Sequence, residues 1–285
     1  MEVIGIVVLF NPEDEIIDIY KSYKKQFEKV IFVDNSIKIN TKFINLIKSD
    51  RDNLYYSFNE NIGLSRALDF GCKIAIKQGF EYACLLDQDT YVEEKCILEL
   101  KKYIRKNQVA LVAPNIKFMI RDKNNKLSIN RILDPLEENK YVNFAITSGS
   151  LIDLKVYKKI GGVDTNLFIG QIDQDYCTNL IKNNFYIYRV GNSFIQQEAG
   201  KSKVYKIFNK EILNPKYPAF RYYYIFHNER YLRKKWGKIY DINKVNLWKY
   251  IIIILFFEKD RFKLLYQCIL GFYSGDKYEK NKLFR

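Results

Sequence analysis

Tyr82-Ala83-Cys84-Leu85-Leu86-Asp87-Gln88-Asp89-Thr90 passes without a break from an apolar run into a pair of carboxylates. A strand covered on one face alternates apolar and polar residues, whereas one covered on both faces reads as apolar throughout. Tyr82–Asp87 is of the second kind, and so are Val3–Phe10, Val30–Asp34, Leu54–Phe58 and Val109–Pro114. Between these runs the period changes. Glu13–Phe27 carries apolar residues at 16, 17, 19, 20 and 23, a helical stripe. Leu64–Gln78 repeats the pattern with Leu64, Ala67, Leu68, Cys72, Ile74 and Ala75, and Gly79 stands where a helix stop belongs. Glu93–Lys106 reads the same way. Strands separated by helical crossovers predict an α/β fold with a parallel sheet.

Further along, residues 117–142 are polar and turn-rich (Arg121-Asp122-Lys123-Asn124-Asn125), which predicts a surface excursion. Val142–Leu154 reads as a strand broken at Thr147-Ser148-Gly149-Ser150. Helices are expected near 154–160 and 173–183, with a strand at 185–190. Past about 215 the pattern is helical, over Tyr222–Lys235, Leu247–Phe257 and Arg261–Phe272.

The chain has 285 residues and is 48% hydrophobic, enough for a large core and too apolar for disorder. Its five cysteines form no CxxC pair and its one His completes no Cys/His zinc pattern. An odd number of unpaired cysteines suits a reducing compartment. The opening apolar run is short and is followed by Glu13, Asp14 and Glu15, unlike a signal peptide, so a cytoplasmic protein is expected. The net charge of +14 is concentrated at one end. Residues 201–285 hold 20 Lys and Arg against 7 Asp and Glu, and 21 of the 45 aromatic residues. That asymmetry predicts two regions, 1–200 and 201–285, with different partners. A basic tail fits nucleic acid, a membrane surface or an anionic substrate.

Ligands of an open parallel sheet bind where loops leave the carboxyl ends of its strands. Asp34-Asn35-Ser36, Asn59-Glu60-Asn61-Ile62-Gly63 and Asp87-Gln88-Asp89-Thr90 fall at such ends and are expected to face one cleft. Helix capping is the competing reading, stronger for Ser36 than for the acidic triplet. Asp87 and Asp89, two apart in extended chain, face the same side. Aimed at a cleft they repel, and Mg²⁺ or Mn²⁺, which join one or two carboxylates to substrate phosphates, would relieve them. No GxGxxG or GxxxxGK[ST] is present, which disfavours dinucleotide and P-loop readings. A second pair, Asp173 and Asp175, reads either as first-turn helix acids or as a general base facing an acceptor hydroxyl.

Seven short motifs then follow one another in a familiar order. They are Val7-Val8-Leu9-Phe10-Asn11-Pro12; Val33-Asp34-Asn35-Ser36; Asn59-Glu60-Asn61-Ile62-Gly63-Leu64-Ser65-Arg66-Ala67-Leu68; Leu85-Leu86-Asp87-Gln88-Asp89; Thr147-Ser148-Gly149-Ser150-Leu151-Ile152; Ile160-Gly161-Gly162-Val163-Asp164; and Ile172-Asp173-Gln174-Asp175-Tyr176-Cys177. Over about residues 3–200 the chain resembles an inverting family 2 glycosyltransferase of the bacterial rhamnosyltransferase-like branch. The resemblance implies a GT-A fold, a Rossmann-like, mostly parallel sheet flanked by helices, with the helical, basic-aromatic module appended. It implies that Asp34 reads the nucleotide base beside the Asn11 loop. Asn61, Gly63 and Arg66 would lie near ribose and diphosphate, with Asp87 and Gln88 in the same nucleotide-sugar site. Asp89 would ligate Mn²⁺ or Mg²⁺, Asp87 would contact ribose or metal water, and Asp173, with Asp175 beside it, would be the base. Gly149 and Ser150 would line the acceptor side. Two departures stand out. Where the family often has a metal-contacting His, this chain has Gln196-Gln197-Glu198, so Gln197 or Glu198 would substitute. The Glu usual before the catalytic Asp is Ile172.

The expected donor is dTDP-L-rhamnose, with UDP-sugars as the alternative, and the expected acceptor is a glycan or a lipid-diphosphate-linked sugar. Trp248–Phe257 has only eight uninterrupted apolar residues, too few to span a bilayer, which takes about 20. It reads as an interfacial helix on an anionic membrane, placing the protein on the inner face of the plasma membrane; a buried core helix is the competing reading. A nucleotidyltransferase is disfavoured by the acidic Asn11-Pro12-Glu13-Asp14 after the first strand, and no nucleic-acid partner is expected.

Overall fold

The computed structural model describes residues 1–121, 127–133, 135, 137–198, 202–207 and 210–275. The first half of the chain alternates β1 (Ile4–Leu9), α1 (Ile16–Tyr23), β2 (Lys29–Asp34), α2 (Thr41–Lys48), β3 (Asn53–Ser57), α3 (Leu64–Lys77) and β4 (Tyr82–Asp87). Then come β5 (Thr90–Val92), α4 (Cys96–Lys101), β6 (Val109–Arg121), β7 (Leu127–Leu133), β8 (Lys140–Val142) and β9 (Leu151–Asp153). The remainder is α5 (Leu154–Ile160), α6 (Ile172–Lys182), β10 (Tyr186–Glu198), β11 (Lys203–Ile207), β12 (Lys210–Asn214), α7 (Ala219–Trp236), α8 (Leu247–Phe257) and α9 (Arg261–Ser274).

The main sheet runs β3-β2-β1-β4-β9-β6-β10-β5, with β7 on β6 and β8 on β10. β3, β2, β1 and β4 are parallel, as are β6 and β10, while β9 is antiparallel between β4 and β6. The chain moves outward through β2 and β3, then returns to the other side of β1 as β4. That reversal creates a switch point between β1 and β4, where the loops at the carboxyl ends diverge and leave a crevice.

Both faces of the sheet are covered, which is why its strands are apolar throughout. Ile4, Ile6 and Val8 of β1 pack with Ala67, Leu68 and Cys72 of α3 and with Cys177 and Leu180 of α6 on one face. Val3, Val7 and Leu9 pack on the other with Tyr20 and Tyr23 of α1 and Phe43 and Ile47 of α2. In β4, Ala83 and Leu85 belong to the first face and Cys84 and Leu86 to the second. Period-two alternation therefore carries Asp87 off the strand toward α3 and α6.

Several expectations need correction. Val109–Pro114 is the start of a strand that continues to Arg121 and returns as β7, so a hairpin replaces most of the surface excursion; Asp122–Asn125 lie outside the described residues. Lys117-Phe118-Met119-Ile120 are half-buried and mostly apolar, and the excursion is read from the polar run at 121–125 that follows them. Val142–Leu154 is not one strand but the end of β8, a loop and the three-residue β9. Of the region 201–285, Tyr231 and Leu232 of α7 and Tyr240 after it join the α3/α6 core. The rest of the tail has its own small cluster, in which Tyr222, Ile225 and Phe226 meet Ile254, Leu264 and Cys268.

α9 sits close against α7 because it presents glycine there. A Cβ on Gly271 would overlap the Tyr223 carbonyl, and one on Gly275 the His227 carbonyl. Gly271→Ala should therefore lower stability by the overpacking cost of about 1–3 kcal/mol, read from the denaturant midpoint. An unchanged midpoint would show that α9 is not seated this tightly.

Candidate active site

Val8 of β1 pairs with Asp87 of β4 at the switch point. One residue on, the Gln88 amide reaches back to β1: Phe10 N donates to its Oε1 at 2.7 Å, and its Nε2 donates to Phe10 O at 3.2 Å. This side chain extends the parallel ladder by a rung and holds the acidic residues on either side of it in place. Both amide atoms of Gln88 are thus engaged with β1.

Thr147-Ser148-Gly149-Ser150 runs antiparallel past the same strand end. Gly149 N donates to Leu85 O at 2.7 Å and Leu85 N donates to Ser150 O at 3.0 Å. Ser148 Oγ accepts from Asp87 N at 3.1 Å and lies 2.6 Å from Thr90 Oγ1. Gly149 has φ +77°, and a Cβ there would stand 2.7 Å from Ile195 and 3.3 Å from Pro114. Ser150 is fully buried and donates its hydroxyl to Ile146 O at 2.6 Å. Gly149 and Ser150 thus build the turn from inside. The polar work falls to the two residues before them. Thr147 donates both N and Oγ1 to Asp173 Oδ1, at 2.8 and 2.7 Å, tying the first turn of α6 to the end of β4.

Asp87, Asp89 and Asp173 are thereby gathered at one corner. Burial first, then the charges of Asp89 and Asp173, push Asp87 up to about 7. Burial, with a contribution from Glu198, pushes Asp89 up to about 6. Burial also raises Asp173, with the Thr147 bonds opposing. Gln197 belongs to the same corner. A register shift in β10 between Val190 and Phe194 lets its far half pair with β5, placing Gln197 opposite Thr90. From there Gln197 Nε2 donates to Asp87 Oδ2 at 2.9 Å. A divalent cation fits this donor set, since it would neutralise carboxylates that otherwise repel. Among the described residues no group of three or more His, Cys, Asp or Glu could hold a metal unaided. Mg²⁺ or Mn²⁺ held here would take its remaining oxygens from phosphate and water.

The loops after β1, β2 and β3 brace one another beside this corner. Asn11, at φ +46°, donates its N to Ser36 Oγ at 2.7 Å, and its Oδ1 accepts from Ile37 N and Lys38 N at 3.2 and 2.9 Å. Asn35 donates to Asn61 Oδ1 at 2.9 Å and accepts from Ile62 N at 2.8 Å; Asn61 Oδ1 also accepts from Gly63 N at 3.0 Å. Gly63 has φ +93°, and a Cβ there would meet the Phe168 ring at 2.8 Å. Arg66 is exposed, its Nε 3.4 Å from Thr165 O. Asp34 is buried, accepting from Ser36 N at 3.0 Å and Tyr55 Oη at 2.6 Å. Instead of opening to the cleft, its carboxylate fixes the loop that does.

Asp175 does not join the acidic corner. It is fully buried and accepts from Lys235 Nζ and Trp236 Nε1, both at 2.7 Å, while Lys235 also reaches Asp164 at 2.7 Å. Burial raises Asp175 and Lys235 only partly offsets it; for Asp164 burial is again the largest influence, but Lys235, Asn166 N and the Tyr231 hydroxyl together outweigh it and the net shift is downward. This network fastens α7 to α6. Asn228 adds to it, donating to Ile169 O and Gly170 O at 3.0 and 2.9 Å in the loop that leads to Asp173. Sequence reading missed Thr147, Ser148, Asn35, Asn228 and Lys235 as site-building residues. The first three lie within motifs already singled out; nothing in the local pattern marks the last two.

A Rossmann-like sheet with a carboxylate corner at its switch point is the framework of a GT-A glycosyltransferase. The glycosyl transferase family 2 model matches residues 6–161, more than half of the chain, and the chain belongs to that family. It is 24% identical over 242 residues to the dTDP-rhamnosyl transferase RfbF of Shigella flexneri, a match covering 81% of this chain and 79% of that protein. Among solved structures it resembles GalNAc-T7, crystallised with UDP, GalNAc and Mn²⁺, at TM-score 0.57 and 12% identity, covering 90% of this chain and 56% of that one. S. aureus TarS 1–349 aligns at TM-score 0.57 and 13% identity, over 96% of this chain and 72% of that one. At these identities the structures establish the fold.

Raised carboxyls bind protons in the folded state that the unfolded chain has released. Stability should therefore fall as pH rises from about 4 through about 7. Asp87→Asn removes the group with the largest penalty. Without metal it should melt higher than the parent at pH 8, by about 2–4 °C for each kcal/mol relieved, with the gain vanishing at pH 4. A gain independent of pH would contradict this electrostatic account. Lys235→Met leaves two buried carboxylates without their cation and should cost about 3–5 kcal/mol of stability; a loss below 1 kcal/mol by denaturant titration would mean that water reaches the site.

Proposed function

We propose that the protein transfers a sugar from a nucleoside diphosphate to an acceptor hydroxyl with inversion at the anomeric carbon, and that the donor is dTDP-L-rhamnose. The convergence of Asp87, Asp89 and Asp173 on one corner carries this reading. Family membership supports glycosyl transfer, and the relative named for dTDP-rhamnosyl transfer supports the donor. The Asn11, Asn35 and Asn61 loops form the base and ribose side of the pocket, with Asp34 holding their shape, and exposed Arg66 lies on the diphosphate side. Asp89 and Asp87, backed by Gln197, would hold Mn²⁺ or Mg²⁺. When bound, the cation offsets charge on the departing diphosphate. Asp173 accepts the acceptor's proton. Thr147 occupies its Oδ1 and leaves Oδ2 for that task, and burial keeps the carboxylate more basic than an exposed one. The acceptor is a lipid-diphosphate-linked sugar or glycan of a bacterial surface polysaccharide, met at the inner face of the plasma membrane.

Asp89→Ala should abolish transfer and the thermal stabilisation produced by Mn²⁺ with dTDP, while the variant alone still melts cooperatively. Full activity in that variant, or in the parent with excess chelator, contradicts the metal role. Asp173→Asn is nearly isosteric but cannot take a proton. Its kcat should drop about 10²–10⁴-fold with donor affinity unchanged; a drop under tenfold would move the base elsewhere. Stabilisation by UDP-sugars in preference to dTDP-sugars would overturn the choice of donor alone.

A further inference from the structure

α9 is apolar on two opposite faces. Leu264, Cys268, Gly271 and Gly275 form the buried line, spaced to fall on one side of a helix and packed on α7. Phe262, Tyr266, Ile269 and Tyr273 form an equally regular line on the opposite side, and all four are exposed, Phe262 at 90% and Tyr273 at 70%. α8 repeats the arrangement. Ile253 and Ile254 are buried, whereas Trp248, Ile252, Leu255 and Phe256 are exposed, Trp248 at 75% and Phe256 at 70%. Ile254, Leu264 and Cys268 converge on the α7 side chains Tyr222, Ile225 and Phe226. Both free lines therefore point away from the protein body. Eight large apolar side chains presented together exceed the scattered exposure of an ordinary surface.

The setting of this surface selects its occupant. Within residues 247–275 the exposed charges are Lys249, Lys259, Arg261 and Lys263 against Asp260 alone; Glu258 is half-buried and paired with Lys216 at 3.1 Å. A symmetric contact between two copies would bring this cationic rim against itself, which opposes association. An anionic leaflet attracts it instead. Trp, Tyr and Phe interleaved with Lys and Arg are the side chains that favour the boundary between headgroups and acyl chains. No described helix is long and apolar enough to cross a membrane, and at about 1.5 Å per residue α8 reaches about half, and α9 about two-thirds, of a ~30 Å hydrocarbon core.

We infer that α8 and α9 form a membrane-docking surface that lies in the plane of an anionic leaflet, with Trp248, Phe256, Phe262 and Tyr273 inserted and Lys249, Lys259, Arg261 and Lys263 on the headgroups. The inference rests on the lipid-linked acceptor reading for its purpose, and adds the surface that seats the enzyme. α7 connects the two. Its outer half supports α8 and α9, and its inner end holds the α6 network beside Asp173.

Cosedimentation of the full chain with phosphatidylcholine vesicles, with and without phosphatidylglycerol, tests it without donor, metal or turnover. The parent should bind only the anionic vesicles, and more weakly at about 1 M than at about 0.1 M salt. Phe256→Ser with Phe262→Ser should weaken binding at least about tenfold while leaving the thermal midpoint unchanged, because both rings are already in water. Lys249→Gln with Lys263→Gln should weaken binding at low salt and match the parent at high salt. Three results would overturn the inference: a parent that ignores anionic vesicles, a phenylalanine variant that binds as the parent does, or a concentration-dependent dimer in ultracentrifugation that the phenylalanine variant loses. Transfer to a short soluble acceptor reports the catalytic reading separately, so either can fail without the other.

Discussion

Carboxylates that repel one another are held at a single corner of the sheet by four residues, Thr147 to Ser150, and the rest of the site depends on that restraint. Ser148 grips the backbone of Asp87, Thr147 grips the side chain of Asp173, and the two following residues are buried against β4 and β10 to anchor the grip. A protein alone gains nothing from this crowding, since each added negative charge in a partly dry site costs stability. The cation and diphosphate proposed for this corner would make the arrangement favourable. Backbone fixed in advance then replaces reorganisation during the reaction.

Two supports meet at the corner from opposite sides. On one side, the loops after β1, β2 and β3 are tied by asparagine amides and by Asp34. On the other, α7 fixes α6 through the buried Lys235 with Asp164 and Asp175. Breaking such a network leaves charges that burial punishes, so its geometry is strongly imposed on α6. α7 thus belongs to two clusters: its last turns pack into the α3/α6 core, and its first turns pack with α8 and α9.

The doubly covered strands were legible because β1, β2 and β4 are apolar on both faces, and the end of β4 stood out because two acids follow it at once. The β6–β7 hairpin was not legible: the polar run at 121–125 between its strands read as loop and drew the apolar Phe118-Met119-Ile120 before it into the same reading. The inserted antiparallel β9 was hidden by its length, since three residues carry no period. At the site, neighbouring residues in one motif exchanged roles. Gly149 and Ser150 resemble ligand-facing small residues, yet the turn directs them inward and presents Thr147 and Ser148. Asp173 and Asp175 lie two apart on a helix, about 200° around its axis, so they cannot face the same place. That spacing alone separates one from the cleft; which of the two depended on Lys235, which lies 60 residues away in sequence from Asp175.

The central claim is that Asp87, Asp89 and Asp173 share a corner close enough to hold one another's protons. Carbon-13 NMR of the protein labelled at aspartate carboxyls, without metal, reads this directly. The account predicts carboxyl signals that titrate near pH 6–7, well above the ordinary aspartate range near 4, and a fall in the raised partner when Asp87 is replaced by Asn. If every aspartate titrates near 4, or if the raised signals are indifferent to that substitution, the carboxylates do not share a site and the account is wrong.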